Sequence, residues 1–179
     1  MRLAQRLSQA KAAEVAARAD GRTLVLGADT VVSLEDGLLG KPADEDEARR
    51  MLDSLRGRTH EVITGLTLMA DDGAWQAQEV CRTPVPMRDY TPQAVGEYLA
   101  SGAALDKAGA YGIQDQPFDP VDVHKMNGCY ANVMGLPLCH LVRLMRRRNL
   151  HPATDVPAAC QAHTGYRCGI FPEILGTGS

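Results

Sequence analysis

The chain has 179 residues, of which 45% are hydrophobic and 23% are charged. These values are ordinary for one globular domain that buries a core. The formal net charge of −3 argues against a general polyanion binder such as a DNA-coating protein. A small anionic ligand is still possible, because it needs only two or three well-placed cations.

The sequence also indicates where the protein works. It has no apolar run long enough for a transmembrane helix, and its first residues lack the apolar block of a signal peptide. The five cysteines form an odd set without a Cys-x-x-Cys pair. We therefore expect free thiols in a reducing, cytoplasmic setting, with neither a membrane nor a nucleic acid as partner.

Two helices and a strand are predicted in the first third of the chain. A helix over residues 2–18 is indicated by an apolar stripe with a four-residue spacing, which also contains a lysine: Leu3, Leu7, Lys11 and Val15. The apolar run over residues 23–28 predicts a buried central strand, parallel to its neighbours. Asp44 and Glu47 form a capping-box pattern at the start of a second helix. Its apolar face comprises Ala48, Met51, Leu52 and Leu55.

The remaining elements follow in chain order. The patterns predict strands over 61–69 and 75–85, a helix from Pro92 to Gly102, a short strand ending at Gln114, one or two short strands within 121–134, a last helix from Pro137 to Arg148, and an irregular tail over 149–179. Helices alternate with strands and hairpins. The predicted fold is therefore a mixed α/β (α+β) domain, with a central mixed sheet flanked by helices.

Asp29 follows the best predicted strand directly. Ligands of open α/β sheets bind outside the carboxyl ends of the strands, and a carboxylate there can hold Mg²⁺ or orient a water molecule. The alternative is that Asp29 caps a turn.

Two lysines could meet an anion. Lys41 lies in a Gly-Lys-Pro loop that the proline stiffens, which suits a phosphate clamp, although for this residue taken alone a solvated loop lysine is the preferred interpretation. Lys11 shares a stripe with aliphatic residues. It either extends past the helix edge to solvent or points into an anionic site.

Other polar residues are weaker candidates. Asp106 and Lys107 precede a Gly/Ala run typical of a loop behind a ligand, and the amide of Gln114 could contact the edge of a nucleobase. His60 fits a structural role. The tail pattern Cys160-x₂-His163-x₄-Cys168 lacks a fourth zinc ligand, and Arg146 to Arg148 complement a helix dipole.

Five segments together resemble one family, the Maf nucleotide pyrophosphatases. In chain order they are LAQRLSQAKAAEVA, LVLGADTVV, LLGKPADEDEARRMLDSLRGRTHEVITG, DKAGAYGIQ and YANVMGLPL. Each segment alone is weak, but the ordered set is specific and covers about residues 3–145. The resemblance implies a Maf-like domain over 1–148, with a cleft and a fold like that of inosine triphosphate pyrophosphatases.

The resemblance also implies an activity. Family members hydrolyse a nucleoside triphosphate to a monophosphate and pyrophosphate with Mg²⁺ or Mn²⁺, which removes unwanted nucleotides from the pool. Members are linked to arrest of septum formation, and a homodimer is expected. The alternatives are a non-catalytic nucleotide-binding or septum-regulating protein and a pyrophosphatase for modified purine nucleotides.

Roles for single residues follow from the same resemblance. Asp29 matches the family's catalytic acid and metal-holding position, and Lys11 and Lys41 match its phosphate-contacting lysines. The substrate-binding positions correspond to Thr30, Gln114, Asp106 and Lys107. The sequence Ala28-Asp29-Thr30 resembles the branch that prefers dTTP and UTP.

The chain departs from the family pattern at its start, at Asp115, at Cys129 and Met134, and in the tail from Asn149. Family members begin with a further strand and a Ser-x-x-Arg loop, for which this sequence has no counterpart. A misplaced start codon, a trimmed chain and a natural truncation are the three alternatives. Asp115 stands where glycine usually follows the glutamine.

Overall fold

A computed structural model describes residues 2–19, 23–35, 37–70 and 73–176 of the chain. Its centre is a four-stranded sheet with the strand order β2-β1-β3-β4. The strands are β1 (Leu24–Leu34), β2 (Gly37–Leu39), β3 (Thr59–Ala70) and β4 (Trp75–Pro86). Every neighbouring pair is antiparallel.

Helices surround this sheet, which confirms the predicted mixed α/β fold. The prediction of a mixed sheet was wrong for the described strands, which pair only in the antiparallel direction. They are α1 (Arg2–Ala16), α2 (Glu45–Leu55), α3 (Pro92–Ala100), α4 (Tyr130–Val133), α5 (Leu138–Arg146), α6 (Val156–Thr164) and α7 (Phe171–Leu175). Within the described ranges, no helix combines the length and apolar character that crossing a membrane requires.

The prediction that residues 23–28 form a parallel strand was wrong in direction. The strand is internal, as expected, but β1 runs antiparallel to both of its neighbours. Helix α1 packs against β1 and β3, and α4 and α5 pack against β3 and β4. Along the predicted run only one face is covered: Val25 and Gly27 are buried against α1, whereas Leu24 and Leu26 are each 38% exposed. The expectation of a fully buried strand was therefore wrong as well, because the apolar run is longer than the cover that the helices provide.

Helix α1 lies directly on the backbone of the sheet. Its buried residues are all small: Ala4, Ser8, Ala12 and Ala16. A Cβ atom on Gly27 would come within 2.1 Å of the Ser8 carbonyl oxygen, and one on Gly65 within 2.5 Å of the Ala4 backbone. The predicted apolar stripe was therefore wrong: Leu3, Leu7 and Val15 are 39–56% exposed, because large side chains do not fit between this helix and the strands.

Helix α2 confirms the capping-box prediction. The Asp44 carboxylate accepts a hydrogen bond from the backbone N–H of Glu47, and the Glu47 carboxylate accepts one from the backbone of Ala43. The four predicted apolar residues are all buried in the main core. Local sequence signals therefore suffice to place this helix.

Three predictions for the second half of the chain were wrong. A short 3₁₀ helix (Ala108–Ala110) precedes Gln114 in place of a strand. Residues 121–134 contain α4 and one isolated bridge from Val121 to Met87. The tail expected to be irregular contains α6 and α7. Neither helix has a fully buried residue, so neither shows the apolar periodicity that predicts a helix.

Candidate active site

A cavity of about 320 Å³ contains every site residue predicted from the sequence. Its lining includes Lys11, Asp29, Thr30, Lys41, Asp106, Lys107 and Gln114. Backbone and apolar side chains from Tyr111, Met134 and Gly135 complete the wall. These residues come from five separate parts of the chain, so the fold assembles the cavity.

The cavity lies along one edge of β1. Asp29 and Thr30 are neighbours on this strand and project to opposite faces of the sheet, yet both line the cavity. Strand β2 pairs only with Val32 to Leu34, which leaves the edge beside Asp29 without a strand neighbour in the described residues. Asp29 was expected at the end of a strand. It lies in the middle of β1 instead, because the strand continues through Leu34.

Lys11 and Asp29 form an ion pair at the mouth of the cavity. The Nζ atom of Lys11 lies 2.5 Å from Oδ1 of Asp29. The lysine side chain is 61% exposed and the aspartate side chain only 14%. The carboxylate is therefore fixed on the sheet, whereas the amine extends through solvent and can move to a ligand.

Lys41 reaches the cavity on the loop between β2 and α2. The backbone N–H of Gly109 donates a 3.0 Å hydrogen bond to the Gly40 carbonyl, which joins this loop to the segment that carries Lys107. Lys41 makes no hydrogen bond or ion pair with the described residues. Three of the four lysines in the chain thus line one cavity, and Lys41 is available for an anion without breaking an existing contact.

Lys107 is held between two carboxylates. Its Nζ lies 3.1 Å from Asp106 and 3.6 Å from Asp115, and it also donates to the Ala103 carbonyl. The hydrogen bond and the charge of Lys107 lower the pKa of the Asp106 carboxyl. This amine is therefore less available to a ligand than that of Lys41.

Asp115 was noted in the sequence only as a departure from the family pattern, and it has a structural role beside the cavity. Its carboxylate accepts hydrogen bonds from the Tyr98 hydroxyl at 2.5 Å and from the Gly112 N–H at 3.0 Å. Burial, followed by the bond to Asp115, raises the pKa of Tyr98. The side chain that departs from the family pattern thus ties α3 to the wall of the cavity.

The two residues predicted to select the base differ in whether their side chains already have a hydrogen-bond partner. The Thr30 hydroxyl lies 2.8 Å from the Thr64 hydroxyl on β3 and is held there. Gln114 is exposed, and its amide has no hydrogen-bond partner in the described part of the chain. Gln114 can therefore offer both a donor and an acceptor to a ligand.

His60 and the tail cysteines do not take part in this cavity. His60 is buried and its Nε2 lies 2.8 Å from the Tyr111 hydroxyl, behind the cavity wall. Burial lowers its pKa to about 4. The described residues include no cluster of three or more His, Cys, Asp or Glu side chains suited to a metal, so the pattern of Cys160, His163 and Cys168 does not build a zinc site.

Two carboxylates that a divalent cation could use line the cavity, Asp29 and Asp106, and each is paired with a lysine. Mg²⁺ is usually bound by one or two carboxylates together with substrate phosphates and water. Asp29 lines the cavity beside the lysines. The residues present therefore fit a cation that is shared with a phosphate ligand, and they do not form an all-protein cage.

The fold and the cavity together define an α/β protein with a cleft that three lysines and a sheet aspartate line. Comparison with known families agrees with this class. Residues 1–148 match the family described as Maf-like protein, and the chain belongs to that family.

Individual relatives cover most of the chain. A dTTP/UTP pyrophosphatase of Dehalococcoides mccartyi is 41% identical over 167 residues, which is 91% of this chain and 73% of that protein. The protein of the same name from Syntrophomonas wolfei is 43% identical over 81% of this chain and 75% of its own length. The chain spans only 61% of the relative from Agathobacter rectalis, at 44% identity, and 63% of one from another Dehalococcoides mccartyi strain.

Proposed function

We propose that the chain hydrolyses nucleoside triphosphates to nucleoside monophosphates and pyrophosphate, with dTTP and UTP as preferred substrates. The observation that carries the proposal is the convergence of Lys11, Lys41 and Lys107 on the cavity that contains Asp29. Membership of the Maf-like family and relatives named dTTP/UTP pyrophosphatase support it.

The charges in the cavity suit a polyphosphate. Three ammonium groups face two carboxylates around it, whereas a nucleoside triphosphate carries about four negative charges at neutral pH. Lys41 can bind phosphate directly. Lys11 can move from Asp29 to a phosphate oxygen, since its side chain is mostly exposed. Positioned cations stabilise the charge that develops when the bond between the α- and β-phosphates breaks.

Movement of Lys11 would leave the Asp29 carboxylate free to act. A carboxylate at this position can accept a hydrogen bond from the attacking water and take its proton. Asp29 would also hold the divalent cation, Mg²⁺ or Mn²⁺, together with phosphate oxygens. When bound, such a cation neutralises phosphate charge and polarises the phosphoryl oxygens.

Base selection is assigned to Gln114 and Thr30. The free amide of Gln114 can pair with the edge of a pyrimidine, whose carbonyl and N–H groups alternate. Thr30 is held by Thr64 and shapes the wall beside it. Asp106 and Lys107 support the phosphate side of the cavity.

Release of pyrophosphate from a panel of triphosphates tests the proposal. We expect turnover of dTTP and UTP with Mg²⁺ or Mn²⁺, and weaker turnover of CTP, ATP and 7-methyl-GTP. Turnover by the wild type no greater than that of Asp29→Asn would refute the proposal. Calorimetric binding of UTP without turnover would instead favour a non-catalytic, septum-regulating protein, and a preference for 7-methyl-GTP would favour modified purines.

The setting of the protein is part of the same proposal. All five cysteines are free thiols, which supports a reducing, cytoplasmic location. The family supports a homodimer and a link to septum formation. Light scattering of the purified chain tests for the homodimer. Cell length on overexpression tests the link to septum formation.

A further inference from the structure

A second cavity adjoins the candidate active site on the side of Gln114. Its volume is about 750 Å³, and Gln114 and Met134 line both cavities. The three lysines and Asp29 line the first cavity, whereas none of the four lines the second. The second cavity is therefore adjacent space that the nucleoside of a triphosphate held by the lysines can reach past the two shared residues.

On the basis of the proposed function, we propose that the base of the nucleotide enters this second cavity, where Arg167 selects it. Arg167 belongs to a wall formed by residues 163–167. This wall lies beyond the 148 residues that match the family. The segment after α5 would thus add to the base selection that Gln114 and Thr30 provide.

The segment that carries Arg167 is held on both sides. The Tyr166 hydroxyl donates a 2.8 Å hydrogen bond to the Met126 carbonyl, and the Cys168 N–H donates a 3.0 Å bond to the side chain of Gln161. Gly165, with φ of 66°, ends α6 and turns the chain towards the cavity. The backbone of Arg167 is therefore fixed between two anchored residues.

The guanidinium of Arg167 is free to meet a ligand. It makes no hydrogen bond or ion pair within the described ranges. The carboxylate in the same lining, Asp119, is already paired with Arg88 at 2.7 Å. The charge of Arg167 is therefore available to a group that enters the cavity.

The lining of the second cavity combines flat aromatic faces with polar groups, as a site for a nucleobase requires. The rings of Tyr130 and Tyr166 lie 5.7 Å apart at 33° to each other and offer flat apolar surface. The amides of Gln114 and Gln116 lie on the same cavity. Flat faces with a few polar groups are typical of sites for planar ligands.

The chemistry of arginine determines which base is favoured. A guanidinium only donates hydrogen bonds. Uracil and thymine carry an acceptor oxygen at position 4, where cytosine carries an amino group that donates. In this proposal the guanidinium of Arg167 contacts position 4 of the base. It therefore favours UTP and dTTP over CTP and selects the base without contacting the phosphates.

The test compares Arg167→Ala with a matched control, Arg18→Ala, which removes an exposed arginine that lines neither cavity. Turnover and calorimetric affinity are measured for UTP and CTP, and affinity alone for inorganic triphosphate. We expect Arg167→Ala to lower the UTP-to-CTP ratio of kcat/KM about tenfold, as the loss of one base contact implies. Affinity for inorganic triphosphate should stay unchanged, and Arg167→Lys should restore part of the ratio.

Each other outcome has a separate meaning. An unchanged UTP-to-CTP ratio in an active Arg167→Ala protein overturns the inference and leaves the proposed function standing. An equal loss of affinity for UTP and inorganic triphosphate also overturns it, because Arg167 would then act on phosphate. If the wild type binds UTP without hydrolysing it, the affinity ratio replaces kcat/KM and the inference survives alone. If the wild type does not bind UTP, both fall.

Discussion

The Nζ atom of Lys11 lies 2.5 Å from the Asp29 carboxylate because α1 rests on the backbone of the sheet. Gly27, two residues before Asp29, leaves no Cβ between β1 and the helix at Ser8 and Ala12. Lys11, which lies between these two residues in the helix, then stands over Asp29, which is on the same face of the sheet as Gly27. Small residues that carry no chemistry thus set the spacing of the two charged groups.

Substitutions of Asp29 and Lys11 distinguish the role of a base from that of a phosphate contact in the proposed reaction. Asp29→Asn keeps the shape of the side chain but removes its charge and basicity, so kcat for UTP should fall about 100-fold or more. Lys11→Met removes a phosphate contact and should mainly raise KM. Steady-state pyrophosphate release measures both effects. A larger loss of kcat in Lys11→Met than in Asp29→Asn would contradict the assignment.

Lys41 should contribute more to phosphate affinity than its exposed position suggests. It has no partner to give up among the described residues, so Lys41→Gln should weaken inorganic triphosphate binding about tenfold. Calorimetry at low and high salt measures the change. The matched control is Lys125→Gln, which removes the fourth lysine, paired with Asp122 on the surface. Equal effects of the two variants would indicate attraction by net charge alone.

The contact between α1 and the sheet should not tolerate a side chain at Gly65. The new methyl group of Gly65→Ala would meet the Ala4 backbone at 2.5 Å, so α1 must move away from β3. We expect a loss of about 2 kcal/mol in the free energy of unfolding and, because Lys11 moves with the helix, a higher KM for UTP. Urea unfolding and kinetics measure the two effects.

Gly96 supplies the control for that substitution. It lies within α3, and a Cβ there meets nothing within 4 Å. Gly96→Ala should therefore stabilise the protein by about 0.5–1 kcal/mol through helix propensity. If both substitutions change the free energy of unfolding in the same direction, the close contact with Ala4 does not explain the effect of Gly65→Ala.

The sequence was informative where its signals were local. The Asp44 cap, the glycine-proline loop around Lys41 and the motif around Asp29 each predicted a feature from a few adjacent residues. The stripe of α1 could not be predicted, because its buried face depends on Gly27 and Gly65, which are distant in sequence. The tail helices lacked apolar periodicity because they cover the domain with partly exposed residues.

The network around Asp115 was equally hidden. Its partners Tyr98, Gly112 and Lys107 come from α3 and from the segment before Gln114. Each residue alone resembles an ordinary core tyrosine, loop glycine or surface lysine. Only the tertiary structure shows that one carboxylate joins the three, so no pattern of spacing could have indicated it.

His60 should make stability depend on pH. Burial lowers its pKa from 6.5 in the unfolded chain to about 4 in the folded protein. Between these values the unfolded state binds a proton that the folded state excludes, so the free energy of unfolding falls as pH falls from 6.5 to 4. The full loss is about 3 kcal/mol. Urea unfolding at pH 7.5 and pH 4.5 measures most of it.

Two variants isolate this contribution from that of the carboxylates. His60→Gln cannot take up a proton in this range and keeps a polar group beside the Tyr111 hydroxyl, which His60 contacts at 2.8 Å. The difference in stability between the two pH values should therefore shrink by about 2 kcal/mol or more. His151→Gln removes an exposed histidine and should leave the difference intact. The same pH dependence in wild type and His60→Gln would mean that the buried ring is protonated as easily as in the unfolded chain, which would contradict the effect of its burial beside Tyr111.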